Sequence, residues 1–268
     1  MFIAMSMIPA GDLAGKLLTE SGAATPVFVA WSRFAIGTAL LLPLVSPSAY
    51  GLLRDWRIWL RSLLIAGGIL SIQTALRTEP IADVFAAFFV GPIISYALSA
   101  VFLREKVTPL RTVLMLAGFC GVLLVVRPGF GGSAGLLWAV LAGAFYGAYL
   151  TASRWLADRG TPLALIYSQL IVSAVVLAPA GLAALPPLTG STMVLTVASA
   201  GFSMTGNLLL LYAYSRAPAS HLAPLVYFQL IAATALGWVA YQDLPDALTW
   251  AGLALIIGSG LASAGLRR

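Results

Sequence analysis

Apolar runs punctuated by single prolines, glycines and charges fill the chain from end to end. A helix that crosses a hydrocarbon core of ~30 Å needs about 20 apolar residues, and the runs have that length. They predict spans near residues 2–19, 27–45, 59–77, 81–103, 112–126, 136–156, 163–184, 191–214, 220–241 and 248–265. Connections such as Arg77-Thr78-Glu79-Pro80 and Ser215-Arg216-Ala217-Pro218 are so short that the helices they join must be antiparallel neighbours. The glycine-rich stretch 127–135, RPGFGGSAG, reads as a hinge between two halves, 1–126 and 136–268.

One constant displacement lays Gly68 on Gly206, Ala75 on Ala213, Pro80 on Pro218, Glu105 on Asp243, Leu18 on Leu156 and Lys16 on Arg154. A displacement two residues shorter lays Ser32 on Ser168 and Pro43 on Pro179. The order of these matches along the chain predicts two related five-helix halves. An odd number of spans per half inserts the second copy upside down, and inverted repeats are a mark of transporters.

Composition agrees with a membrane class. Of the 268 residues, 60% are apolar and only 9% charged, which would leave a water-soluble globule without a surface. The net charge of +6 is spread in ones, twos and threes between apolar runs, a pattern that sets topology and does not mark a nucleic-acid site. With the N-terminus in the cytoplasm, Arg54, Arg57, Arg61, Arg104, Lys106, Arg111, Arg154, Arg159, Arg216, Arg267 and Arg268 fall on the inner side. Lys16, Arg77 and Arg127 fall outside, and Arg33 falls within a span, so both termini are expected in the cytoplasm. The opening MFIAMSMIPAGDLAGK has no basic n-region and carries Asp12, so it reads as the first span and not as a signal peptide. Cys120 is the single cysteine. It excludes a disulfide framework or a cysteine metal cluster within one chain, and nothing in the sequence implies a cofactor.

The residues that do not belong in lipid carry the candidate chemistry. Asp12 lies mid-span, where an acid costs roughly 2.5–3.5 kcal/mol. Lys16 shares its helix face at the i,i+4 spacing, and Arg33 lies in the outer part of the second span. Two readings stand: a buried ion pair that orients the first two helices, or a proton or ammonium site, since an acid in low dielectric can load and release a proton near neutral pH. Pro9, Pro92 and Pro224 sit within spans, where a proline frees the carbonyl one turn back. Broken helices expose backbone to ligands in transporters, and kinks also serve plain packing.

Phe89 and Tyr96 in the fourth span, Tyr149 in the sixth, Asn207 in the eighth and Tyr227 in the ninth lie on aromatic or polar stripes, with Gln73 and Gln229 mid-span beside them. Tyrosine hydroxyls and amides away from water need partners, and this mixture suits a partly apolar, hydrogen-bonding organic solute. Gly11 with Gly15 and Gly143 with Gly147 are small-xxx-small pairs that admit close neighbours.

The stretches DLAGKLL, WSRF, EPIADVFAAFFVGPIISYALSAVFLREKV and APASHLAPLVYFQLIAATALGWVAYQDLPDALTWAGLALIIGSG resemble the EamA-type carriers of the drug/metabolite transporter superfamily. A proline-led helix ending in an acid, followed by a glycine-rich helix, occurs once per half, with Asp243 where the family usually has glutamate. The resemblance implies an all-α membrane protein of ten helices in two inverted five-helix repeats. It implies a central cavity lined by the first, third, fourth, sixth, eighth and ninth spans, and export or exchange of amino acids or nucleoside-like metabolites. The expected setting is a bacterial inner membrane, and the expected partners are a small-molecule metabolite and membrane lipid, with self-association as a homodimer left open. Competing functions are a lipid flippase or scramblase, and an intramembrane serine protease using Ser203 and His221, two residues whose depths in the membrane disagree. A channel would need a ring of like charges or a carbonyl filter, and neither is visible.

The topology has a direct test. In a Cys120→Ala background, single cysteines placed in 127–135 should react with an impermeant thiol reagent from outside, and cysteines in 104–111 should not. Labelling of both from one side would overturn the inverted arrangement.

Overall fold

The structure, a computed structural model, describes residues 2–104, 109–126, 133–187, 189–214, 228–242 and 244–265. The described residues form helices and short turns, with no strand among them. Their order is α1 (Phe2–Glu20), α2 (Pro26–Leu41), the short α3 (Ser48–Leu52), α4 (Trp56–Leu76), α5 (Ile81–Phe88), α6 (Val90–Phe102), α7 (Pro109–Val126), α8 (Ala134–Trp155), α9 (Pro162–Ala183), α10 (Gly190–Tyr214), α11 (Phe228–Tyr241) and α12 (Ala247–Gly265). Six stretches are long and apolar enough to cross a membrane: Pro26–Leu44, Trp56–Leu76, Ile81–Phe102, Ala134–Trp155, Pro162–Ala183 and Gly190–Leu210. Glu105, Lys106, Arg127, Pro224, Tyr227, His221, Asp243 and most of the 127–135 hinge lie outside the described residues.

Apolar side chains cover the outside of the bundle. Val101 and Phe102 are 71% and 73% exposed, while Asp12, Lys16, Arg33, Arg61 and Gln73 are buried. That inversion is what a lipid solvent demands, since backbone and charge must be satisfied inside.

Helix starts recur in kind. Thr25 Oγ1 accepts from Phe28 N at 3.3 Å and Thr161 Oγ1 accepts from Ala164 N at 3.2 Å, each ahead of a proline at the first helical position. The two helices so begun, α2 and α9, pack on each other. Around them α1 packs on α10, α4 on α8, and α7 on α12.

The span expected over 81–103 is not one helix. It stops at Phe88 and restarts at Val90, with the break at Phe89, three residues before Pro92. Proline has no N–H, so the Phe88 carbonyl loses the donor four residues on. The proline thus marks the break, but the interruption falls a turn toward the N-terminus. Glycines on α8 accommodate it. A Cβ on Gly143 would meet Phe88 O at 2.5 Å, and one on Gly147 would meet Ile94 Cβ and Ser95 N, each at 3.0 Å. By contrast α1 runs unbroken through Pro9.

Gly147→Ala should therefore lower the melting temperature in detergent, at an overpacking cost of about 1–3 kcal/mol. Gly258→Ala, where an added Cβ meets nothing within 4 Å, should be neutral or stabilising by up to ~1 kcal/mol. Equal effects at the two sites would show that the broken segment does not depend on close approach.

Candidate functional site

Two polar joints lie inside the apolar bundle. The first is centred on Asp12, which α1 presents among α2, α4 and α10. Arg33 Nη1 donates to Asp12 Oδ1 at 2.5 Å, and Gln73 Nε2 donates to the same oxygen at 2.9 Å. Arg33 Nη2 donates to Gly11 O at 2.7 Å, and Arg33 Nε donates to Ser199 Oγ at 2.9 Å. Ser199 Oγ in turn donates to Gly11 O at 3.0 Å. Asp12 is 3% exposed and Gln73 fully buried. An isolated charge in such a place would be prohibitive, and the pair with its flanking donors makes it tolerable. Local sequence makes the space: a Cβ on Gly15 would meet Arg33 Nη2 at 2.9 Å and would also run into Gln73 Oε1.

Lys16 does not pair with Asp12, although both lie on one face of α1. Its Nζ donates to Leu76 O and Glu79 O, both at 2.8 Å, at the end of α4. A lysine there satisfies carbonyls that a helix C-terminus leaves open and complements the negative end of the helix dipole. Its ammonium also lies 5.1 Å from the centroid of the Tyr241 ring. Glu79 accepts from Thr78 Oγ1 at 3.1 Å and from Ser133 Oγ, tying this end of α4 to the start of α8.

The second joint is centred on Arg61, a residue counted from the sequence as an inner-side topology charge. The structure buries it to 4% exposure. Arg61 Nε donates to Ser153 Oγ at 2.8 Å, Nη1 to Leu165 O at 2.9 Å and Nη2 to Tyr149 OH at 3.0 Å. Tyr149 OH donates onward to Gln169 Oε1 at 2.7 Å, and the Arg61 guanidinium lies 4.9 Å from the Tyr149 ring centroid. Sequence reading missed Arg61 because a basic residue in the first turns of a span is the usual topology signal. Its spacing from Arg57 by one helical turn was the available clue.

The remaining candidate residues disperse. Tyr96 OH shares a hydrogen bond with Thr112 Oγ1 on α7 at 3.1 Å. Phe89 is 4% exposed and packed in the apolar cluster with Val90, Val122 and Ile256. Asn207 is exposed, and its Nδ2 donates to Ser203 O on its own helix at 2.8 Å. Gln229 is buried on α11. Among the described residues, Tyr96, Tyr149 and Asn207 bond to separate partners and form no single hydrogen-bonded cluster.

Residues 1–127 and 133–263 each match the EamA-like transporter family. The chain belongs to that family. As an EamA protein of the drug/metabolite transporter superfamily it is a multi-pass membrane transporter of small molecules and not an enzyme. A riboflavin transporter of Brucella anthropi is 27% identical over 246 residues, 88% of this chain and 86% of that protein. The pseudopaline exporter CntI of Pseudomonas aeruginosa is 27% identical over 94% of this chain and 90% of its own. An S-adenosylmethionine uptake transporter of Rickettsia bellii is 26% identical over 87% of this chain and 81% of its own. A solved crystal structure superposes with a TM-score of 0.64 at 22% identity, covering 98% of this chain and 95% of the other, a likeness of fold.

Breaking the ion pair of this EamA chain from either side strands the other charge. Asp12→Asn or Arg33→Gln should each destabilise by roughly 3–5 kcal/mol, read as a large fall in melting temperature in detergent. The double change Asp12→Asn with Arg33→Gln should recover much of the loss. Additive losses would show that the two residues act separately.

Proposed function

We propose that this chain is a secondary transporter that exports or exchanges an amino acid or nucleoside-like metabolite across a bacterial inner membrane, with both termini cytoplasmic. In this reading ten spans form two inverted five-helix halves, 1–126 and 136–268, joined by the 127–135 hinge, and the halves rock around a central cavity. The packing register carries the proposal. Gly68 on α4 lies against Ala142 O and Tyr146 N of α8, and Gly206 on α10 lies against Ala4 O and Ile8 N of α1. These are the same positions under the displacement that lays Gly68 on Gly206. Each half thus lends one helix to the other in matching register, which supports the inverted-repeat reading, and the two separate family matches agree with it.

The relatives fit the solute class. Riboflavin and S-adenosylmethionine both join a planar ring system to a polar chain, and the named relatives run in both directions, as exchangers can. For the cavity wall we retain Tyr149, Asn207, Gln229 and Tyr227. Phe89 is committed to apolar packing, Tyr96 turns its hydroxyl to α7, and Gln73 is held by Asp12. Asp12, Lys16 and Arg33 then form the outer closure. Because Asp12 sits in a complete ion pair, its part in the cycle is to let that closure open and reseal.

The test is counterflow in vesicles reconstituted with the purified chain. Vesicles preloaded with unlabelled riboflavin, S-adenosylmethionine or an amino-acid mixture should take up the matching labelled solute, with one class exceeding protein-free vesicles by about tenfold. Asp12→Asn with Arg33→Gln should exchange more slowly, although it folds. Movement of labelled lipid between leaflets, without counterflow of any soluble metabolite, would favour a flippase and refute the metabolite reading.

A further inference from the structure

The two joints sit at corresponding places in the two halves, and the difference between them points to a ligand. Under the displacement that lays Gly68 on Gly206, Arg61 on α4 corresponds to Ser199 on α10, Tyr149 on α8 to Gly11, and Leu150 to Asp12. Under the one that lays Ser32 on Ser168, and with it Thr25 on Thr161, Gln169 on α9 corresponds to Arg33. Ser199 with Gly11 and Arg33 is therefore mirrored by Arg61 with Tyr149 and Gln169. The Asp12 joint contains its own carboxylate. The Arg61 joint has leucine in that place, and no described carboxylate lies within 4 Å of Arg61.

A guanidinium is charged at any physiological pH. Buried at 4% exposure with only a serine, a tyrosine and one carbonyl as acceptors, it holds a positive charge that no described group neutralises. Three of its five N–H groups are used, which leaves one on each Nη. Gln169 accepts from Tyr149 through Oε1, and its Nε2 makes no hydrogen bond to any described residue. Unlike the sealed Asp12 joint, this one is half open: Tyr149, Ser153 and Gln169 are each partly exposed. An aromatic wall leads to it. Phe88 and Tyr146 rings lie 5.0 Å apart, and Tyr146 stacks on Tyr149 at 5.9 Å.

We infer that Arg61, Tyr149 and Gln169 bind the carboxylate or phosphate of an organic anion whose ring system rests on Phe88, Tyr146 and Tyr149. The solute supplies the negative charge that Asp12 supplies in the other half. Arginine suits the task because its paired N–H groups match the two oxygens of either anion. This inference rests on the transporter reading and narrows its solute class to metabolites that carry an acidic group.

The experiment compares phenylacetate and phenyl phosphate with the neutral phenylacetamide, each at 10 mM, as stabilisers of the detergent-solubilised full chain. A ligand that binds the folded state raises its melting temperature by mass action. One or both anions should raise it and phenylacetamide should not, the stronger anion telling carboxylate from phosphate. Arg61→Met should weaken anion binding about tenfold or more, as expected for loss of a charge-assisted hydrogen bond. Arg61→Lys should keep part of it, and Arg57→Gln, one turn away, should keep all of it. Equal shifts in Arg61→Met and the unaltered chain, an equal shift with phenylacetamide, or no shift with either anion would each overturn the site. If Arg61→Met cannot be purified, Tyr149→Phe and Gln169→Leu decide: weaker anion binding in both supports the site, and unchanged binding in both refutes it. Counterflow separates this outcome from the broader reading. Exchange of neutral metabolites without anion binding would remove the site and leave the transporter, whereas anion binding without any exchange would do the opposite.

Discussion

A charged group inside a hydrocarbon layer has no water to fall back on, and the Asp12–Arg33 pair is where this bundle meets that constraint most completely. Most of the arrangement around it answers to the need, Gln73 Oε1 being the buried atom left without a partner among the described residues. Gly15 omits a side chain so that the guanidinium and the Gln73 amide can lie against α1. Ser199 reaches in from the second half to accept from Arg33 and donate to Gly11. Four helices are thereby joined, α2 and α4 through the Asp12 carboxylate and α10 through the guanidinium that the carboxylate holds. In a medium where apolar contact between helices gains little over contact with lipid, such polar joints and close small-residue packing set the architecture.

Much of the fold was legible in the sequence because membrane helices are specified by length and apolarity alone. The runs ending near Glu20, Leu76, Trp155 and Ala183 coincide with helices, and the Thr-Pro openings at 25 and 161 are local chemistry that reads directly from two letters. The interruption at Phe89 was only half legible. Pro92 announces it, but the lost hydrogen bond belongs to a carbonyl one turn earlier, so the position of the proline and that of the break differ.

The polar joints were less legible, for a reason of geometry. Helical spacing tells which residues share a face and says nothing of what the neighbouring helix brings to that face. Lys16 lies one turn from Asp12 and reaches instead to the carbonyls that end α4, while Arg33 arrives from another helix. Arg61 is the sharper case. At a membrane boundary a basic side chain ordinarily extends to water and headgroups, and only the closeness of Tyr149, Ser153 and the Leu165 carbonyl turns it inward. The aromatic stripe of the fourth span divides in the same way, since Phe89 lies in the break between α5 and α6 and packs among apolar side chains, while Tyr96 on α6 turns its hydroxyl to α7.

One helix belongs to both joints. Arg61 and Gln73 lie on α4 about 18 Å apart along its axis, with an unbroken hydrogen-bonded backbone between them. Such a rod scarcely stretches. Rotation or sliding of α4 that alters the grip of Arg61 on α8 and α9 must reach the Gln73 amide within the same movement, and with it the carboxylate of Asp12. The two ends of the bundle are thus connected by a lever rather than by a chain of contacts, and the lever's stiffness is set by helical backbone alone.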